Sequence, residues 1–460
     1  MVKATDKRRV VRLPGIYLKE VFYRGMPRIL KTLSGGTACK EGRHSLLLTQ
    51  KGISAPQVLA FGQEVRGGLI LRDIVITREV PESRRLYDVI FEEYESFTFL
   101  EKVRLIRSFA EFIHRIHRAG VLHHDLHMGN ILIRKEGSDS RFFLLDTDRI
   151  RFFPGSLSPR KKAENLSLLL VNFQKLTTRS ERFRFLKYYG ILDGNSHLDR
   201  GLLVAVEHKA LKQFAKTLHK RALRSIGNNA HFIAEKKNRF SVFSQRTPLA
   251  LNVLNKLLPD PDAKLDQGEV LKAGRTVQAA TVLIDGRKYF LKRYNDKGFI
   301  YRFRNAFRKS RAVRTWLVSW EFFFRGLPVP EPILCLEERS FRLLKSSYIL
   351  YEYVDNSTRL SQKWPLLDIQ KRKSILINLA IKLGFMHRSG GIHGDLKWNN
   401  ILTDGNNNIY FIDFDGSGIN FPCSDSKIAK DLKRFLKDLS KYEKDESLKD
   451  VFSTVSNKWH

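Results

Sequence analysis

Apolar and polar positions along the chain follow one order twice. Each time an apolar run of strand type leads to a lysine, GIYLKEVF around Lys19 and RKYFLKRY around Lys292. A helix and a Gly/Pro turn follow, KGISAPQVL at 51–59 and RGLPVPEPIL at 325–334. A second apolar strand comes next, LILRDIVITREV or SSYILYEYV, and then apolar residues at helical spacing predict long helices over 101–119 and 368–389. Each pass closes with a His-x-Asp loop, a short strand at Ile131–Ile133 or Ile401–Leu402, and a strand ending in Asp146 or Asp413.

The match is also literal. Residues 117–132, HRAGVLHHDLHMGNIL, and 387–402, HRSGGIHGDLKWNNIL, agree without a gap at nine of sixteen positions. A repeat of more than about a hundred residues is too long for a solenoid and fits a duplicated domain. The pattern predicts an α+β chain with a first domain over 1–205, a linker over 206–268 where GNN, basic and LPDPDAK pieces mix, and a second domain over 269–460. The basic segment IAKDLKRFLKDLSKY reads as a helix, and the final dozen polar residues read as frayed.

Composition narrows the class. At 460 residues, 42% hydrophobic and with 32 Phe, the chain is too apolar for disorder. Three cysteines without paired spacing suggest neither disulfides nor zinc and fit a reducing cytoplasm. The basic start MVKATDKRRVVRLPG has no apolar run behind it, so neither a signal peptide nor a membrane span is expected. A net charge of +34 predicts a polyanionic partner, which nucleic acid, an anionic membrane face and phosphorylated glycolipids all satisfy. No zinc spacing or aromatic RNA-binding motif supports the first of these.

Phosphoryl transfer needs a carboxylate near the attacking hydroxyl, oxygen ligands for Mg2+ and a cation on the nucleotide phosphates. In the first unit Asp125 would accept the hydroxyl proton, and Asn130 and Asp146 would hold the metal; in the second these roles fall to Asp395, Asn400 and Asp413. His123 and His393 read as structural pins of the loops. A lone Asp-x-Asp is a common turn, but two copies in the same flanking pattern are more than turn composition provides.

HHDLHMGNIL…LLDTDR and HGDLKWNNIL…FIDFDG resemble the lipopolysaccharide kinase family, relatives of protein kinases that phosphorylate inner-core sugars, Kdo or heptose. GISAP, LSPRKKAENL and ERFRFLKYY in the first unit, and LPDPDAKL, EVLKAGRTVQAATVLIDGRKYFLKRY and SRAVRTW…GLPVPEPI in the second, extend the likeness over most of the chain. The resemblance implies two bilobal kinase-like domains, each with a small β-rich N-lobe and a helical C-lobe. It implies ATP and Mg2+ as cofactors, an anionic sugar or glycolipid acceptor, and a cytoplasmic protein peripheral to the inner membrane. It places Lys19 and Lys292 on the nucleotide phosphates, Glu41 as the helix partner of Lys19, Gly274 in the phosphate-covering turn, and His127 and Lys397 near the transferred phosphate.

Each unit departs from the pattern. Eighteen residues precede Lys19, so the first N-lobe is expected to be truncated, without its first strand and glycine-rich turn. In the second unit Thr315 stands where the glutamate belongs and Glu321 should face away, so Lys292 is expected to lack its partner. The first unit is then the degenerate copy and the second the active one. Two alternatives stand beside the sugar kinase: pseudokinase units acting as binding scaffolds, and a kinase whose acceptor is a protein or small-molecule hydroxyl.

Overall fold

The computed structural model describes residues 3–5, 7–137, 139–174, 176–192, 200–295, 298, 306–341 and 343–459. The chain divides into two compact units, Met1–Gln213 and Phe214–His460. Each has a sheet lobe and a helical lobe.

In the first unit, strands β1 (Lys3–Thr5), β2 (Arg8–Leu13), β3 (Ile16–Phe22), β4 (Val58–Arg66) and β5 (Leu69–Arg78) form an antiparallel sheet in the order β1-β2-β3-β5-β4. The expectation of a missing first strand is corrected. Both strands ahead of β3 are present, but β1 has only three residues, so the lobe is shortened rather than incomplete. A two-residue turn suffices to reverse β2 into β3, pairing Val10 with Lys19, and this leaves enough chain for β1. The helix Thr37–Gln50 follows β3 and carries Glu41.

The helical lobe is built on Phe99–Arg118. Thr98 and Glu101 close a capping box at its start, and Leu105, Ile106, Phe109, Ile113 and Ile116 bury one face. Phe109 packs on Phe142, Phe173 and Phe185, and the ERFRFLKYY segment contributes Phe185, Leu186 and Tyr189 to the core. Strands β6 (Ser83–Arg85), β8 (Ile131–Glu136) and β9 (Asp139–Leu144) form a small sheet, and β7 (Val121–His123) pairs with β10 (Ile150–Phe152).

The second unit has a seven-stranded sheet. Strands β11 (Phe232–Lys237) and β12 (Phe240–Gln245) come first, followed by β13 (Glu269–Ala273), β14 (Val277–Ile284), β15 (Arg287–Tyr294), β16 (Pro332–Ser340) and β17 (Leu343–Glu352). The order is β11-β12-β16-β17-β15-β14-β13. The 206–268 linker expectation is thereby corrected. Phe232–Lys237 and Phe240–Gln245 make a hairpin around Asn238, whose φ of 54° suits asparagine, and β12 pairs with β16. Phe240, Val242, Val253, Leu254 and Leu257 enter one core with Leu291 and Leu350. Mixed polar composition hid an ordinary amphipathic hairpin and helix.

The helix Arg311–Arg325 ends at Gly326, which adopts the left-handed conformation at φ 75°. In the helical lobe, Ile369–Arg388 is the long central helix. Strand β18 (Thr358–Arg359) pairs with β20 (Ile401–Thr403), which pairs with β21 (Ile409–Phe411); β19 (Gly391–Ile392) pairs with β22 (Gly418–Ile419). Helices Asp425–Tyr442 and Glu446–Trp459 complete the unit. The last dozen residues are therefore largely helical rather than frayed, because Leu448 and Phe452, one turn apart, bury in the core beside Phe435. Among the described residues no helix is long and apolar enough to cross a membrane.

Candidate active site

In both units the lysine strand lies between the same neighbours. Lys19 pairs with Val10 on β2 and Val75 on β5; Lys292 pairs with Ala279 on β14 and Ile349 on β17. Both lysines are buried, and each reaches the aspartate just after the later strand, Asp146 or Asp413.

The first unit brings Lys19, Glu41 and Asp146 together. Lys19 Nζ donates to Glu41 Oε2 and, at 3.0 Å, to Asp146 Oδ1. Burial disfavours the Lys19 ammonium, but Glu41 and Asp146 outweigh it and raise its pKa. Burial raises the Glu41 carboxyl, and Lys19 offsets only part of this. Burial also opposes ionisation of Asp146, yet Lys19 and Arg8 prevail and lower it to about 2. Arg8, which sequence reasoning missed, reaches from β2 to Asp146 Oδ1 at 3.2 Å. Oxygens of Glu41, Asp146 and Asp148 lie within 4.8 Å of one another. Thr147 ties this turn to the glutamate helix through the Glu41 carbonyl at 2.9 Å and Ser45 at 2.9 Å.

The loop before it is held by its own backbone. His123 donates from Nε2 to the Leu145 carbonyl at 3.1 Å and accepts the Asp125 N–H at Nδ1. Burial lowers its pKa, so it stays neutral in that tautomer, as a pin rather than a base. Asn165 Nδ2 donates to the His123 carbonyl at 2.7 Å. Asn130 Nδ2 donates to the Asp125 carbonyl at 3.0 Å, which leaves its Oδ1 as a ligand atom. Asp125 meets Arg149 at 3.1 Å, and His127 turns its Nδ1 back to the Gly129 N–H.

The second unit assembles the same positions with one exchange. Lys292 does not lack a partner: its Nζ donates to Asp413 Oδ1 at 2.6 Å and to Asp415 Oδ2 at 2.8 Å. Asp415 also accepts from Arg311 at 3.0 Å, from Thr315 Oγ1 at 3.2 Å and from the Tyr294 hydroxyl. Thr315 is short, so the helix leaves room for a carboxylate from the Asp-x-Asp turn, and Arg311, one turn earlier on the same face, supplies a cation in its place. Burial opposes ionisation of Asp415, but Lys292, Tyr294 and Arg311 bring its pKa below the ordinary value. Burial and Asp415 push the Tyr294 phenol far up, so it remains a donor. Glu321 does face away, paired with His219 and, at 3.0 Å, with Arg325.

Asp395 bonds Lys397 at 2.8 Å and Asn400 Nδ2 at 3.1 Å, with Arg434 at 3.5 Å. Its burial is modest, and these donors lower its pKa. The buried Asp431, from the segment read only as a basic helix, accepts the backbone N–H groups of His393 at 2.7 Å and Gly394 at 2.8 Å. Gly394 has φ 80°, and a Cβ there would lie 2.1 Å from the Gly416 carbonyl oxygen, so only glycine fits. Asp146 and Asp413 are themselves left-handed, at φ 48° and 65°, a conformation that aspartate tolerates and that turns each carboxylate into its cleft. Gly274 sits in the β13–β14 turn, where its N–H bonds Val277 O at 3.0 Å.

A cavity of about 600 Å3 opens in this second cleft, lined among others by Lys272, Lys292, Lys397, Asn400, Asp413 and Phe414. That volume lies within the range of about 300–1,000 Å3 typical of small-ligand sites. Cations on two walls suit a polyphosphate. The oxygens of Asn400 and Asp413 not engaged by Asp395 and Lys292 suit a hard divalent cation.

Two phosphotransfer-type clefts on a two-lobed α+β fold define a kinase-like class. The family model for the lipopolysaccharide kinase (Kdo/WaaP) family matches residues 21–189 and again 257–453, and the chain belongs to that family. A 3-deoxy-D-manno-octulosonic acid kinase of Stenotrophomonas maltophilia (strain K279a) is 30% identical over 145 residues, covering 32% of this chain and 53% of the relative. The corresponding kinase of Xylella fastidiosa (strain M12) is 26% identical over 144 residues, 31% of this chain and 56% of the relative. The chain thus spans about half the length of these curated relatives. A solved structure of WaaP in complex with acyl carrier protein is 20% identical, with a TM-score of 0.37, over 46% of this chain and 87% of that one.

Proposed function

We propose that this protein is an ATP- and Mg2+-dependent kinase that phosphorylates a sugar hydroxyl of the lipopolysaccharide inner core, Kdo or heptose, or of a related glycolipid, in the cleft of its second unit. The observation that carries this reading is the 600 Å3 cavity, whose walls hold Lys292, Lys397, Asn400 and Asp413 together. Family membership and the names of the relatives support the sugar acceptor. The charge of +34 suits an anionic glycolipid on the cytoplasmic face of the inner membrane.

In this mechanism Lys292 holds the nucleotide α- and β-phosphates and Asp415 keeps it extended. Asn400 and Asp413 would hold Mg2+, which supplies charge neutralisation on the phosphate oxygens. Asp395, ionised at neutral pH, orients the sugar hydroxyl and receives its proton as the oxygen–phosphorus bond forms. The bond between the γ-phosphorus and its bridging oxygen breaks, and ADP leaves. Lys397 steadies the transferred phosphoryl oxygens, and Gly274 lets the β13–β14 turn close over them.

A specific observation favours a second reading for the first unit. Arg8 and Lys19 both engage Asp146 Oδ1, so two cations compete with a metal there, against Lys292 alone at Asp413. We assign this unit a binding or regulatory role. The test is phosphate transfer from ATP to deacylated core oligosaccharide by purified protein. Asp395→Asn should abolish transfer and Asp125→Asn should leave it; the opposite pattern moves catalysis to the first unit. Transfer only to a protein or a small antibiotic-like alcohol would replace the proposed acceptor.

A further inference from the structure

The helix Met26–Ser34 of the first unit is amphipathic with its faces reversed. Met26, Ile29, Leu30 and Leu33 fall at i, i+3, i+4 and i+7, one face of a helix, and are 69%, 47%, 58% and 83% exposed. The polar side makes the attachment. Arg28 Nη2 donates to the Arg66 and Leu69 carbonyls at 3.0 and 3.4 Å, and Thr32 Oγ1 accepts the Ile70 N–H at 3.0 Å. Hydrogen bonds to the β4–β5 hairpin therefore hold the helix so that its apolar ridge points outward.

The ridge does not stand alone on this lobe. Edge strand β4 exposes Leu59, Phe61 and Val65, and Val65 directly precedes the carbonyl that holds Arg28. Phe61 lies on Gly42, and Leu46, one turn further along the glutamate helix, is also exposed. Arg24, Lys40, Arg43 and Lys51, all exposed, punctuate these apolar positions.

We infer that Met26–Ser34 lies in the plane of an anionic bilayer leaflet, with Met26, Ile29, Leu30 and Leu33 among the acyl chains and the neighbouring Arg24, Lys40 and Arg43 at the lipid phosphates. Shape and charge both select this occupant. A convex apolar ridge bordered by cations fits the boundary between headgroups and acyl chains, where an interfacial helix sits about 5–10 Å deep. The inference rests on the glycolipid-kinase reading for its purpose, which is to hold the enzyme at the leaflet that carries the acceptor. Its observations are independent of the clefts.

The test uses the full chain with Leu33→Cys in a Cys423→Ser background, labelled with nitrobenzoxadiazole. Vesicles with about 30% phosphatidylglycerol should shift the emission to the blue, and pure phosphatidylcholine vesicles should do so much less. Leu30→Glu/Leu33→Glu should lower the fraction floating with anionic vesicles by about tenfold. That variant should keep its circular dichroism and its transfer to a deacylated, soluble acceptor. Absence of the blue shift, or unchanged flotation of the double variant, overturns the proposal. So does a lipid-free dimer that the double variant abolishes, since the ridge would then be covered by a second copy. Normal insertion without transfer to any sugar would refute the kinase reading alone.

Discussion

Asp415 pairs with Lys292 where the helix carries Thr315 in place of a glutamate. Four donors converge on it, from β15, from the helix Arg311–Arg325 and from Lys292 itself. Asp415→Asn should therefore raise the KM for ATP more than it lowers kcat, because the lysine loses the carboxylate that extends it. Adding Thr315→Glu should restore much of the loss by returning a carboxylate to the helix. A double variant no better than Asp415→Asn would mean that Asp415 does something other than position Lys292. Asp395→Asn should lower kcat by roughly 10²- to 10⁴-fold, the usual scale of a positioned base, with little change in the KM for ATP. Because its donors hold the Asp395 carboxyl below the ordinary range, the acid limb of the rate profile should lie below about pH 4.

Asp146 gives a pH prediction of definite sign. Its folded pKa of about 2 is below the ordinary value of 3.8, so folding favours the ionised form. The stabilisation is fully present above about pH 4 and is lost as pH falls through about 2. Asp146→Asn should therefore melt below wild type at pH 6, and the gap should narrow steadily between about pH 4 and pH 3. A gap independent of pH would remove Lys19 and Arg8 as its cause.

Among the elements, the β11–β12 hairpin is the least expected member of the second sheet. Phe240 is 1% exposed and packs in the core with Val242, Leu254 and Tyr348. Phe240→Ala should cost about 3–5 kcal/mol, the range for deleting a buried aromatic side chain. Denaturant unfolding with limited proteolysis should locate the loss in the second unit. Susceptibility confined to 206–268, with the rest protected, would restore the linker description. Only FSVFSQ shows the two-residue alternation of a strand; FIAEKK runs apolar then polar, so the pair carried no clear hairpin pattern amid the basic and polar residues around it.

For the whole molecule, the asymmetry between the clefts is the main functional consequence. Calorimetry of the intact chain with Mg·ATP should find a single strong site. Asp413→Asn should remove it, whereas Lys19→Ala should not. Two equivalent sites would put both units to catalytic use and would count against the regulatory reading of the first.

The chain's own pattern determined the duplication, the catalytic loops and the lysine strands. Those features are local: a loop of five residues or a strand of seven has its character set by the side chains within it, and two copies make the pattern plain. It also determined that Glu321 would turn away, since helical geometry alone fixes that angle. Apart from Glu41, which the family resemblance already set beside Lys19, the charged partners in the clefts were decided only in three dimensions. Arg8 and Asp146 lie 138 positions apart, and Lys292 and Asp415 lie 123 apart, so neither contact has a local signature. The outward face of Met26–Ser34 belongs with them. Its spacing marks an amphipathic helix, but which side meets the protein depends on hydrogen bonds from Arg28 and Thr32 to a hairpin more than thirty residues away.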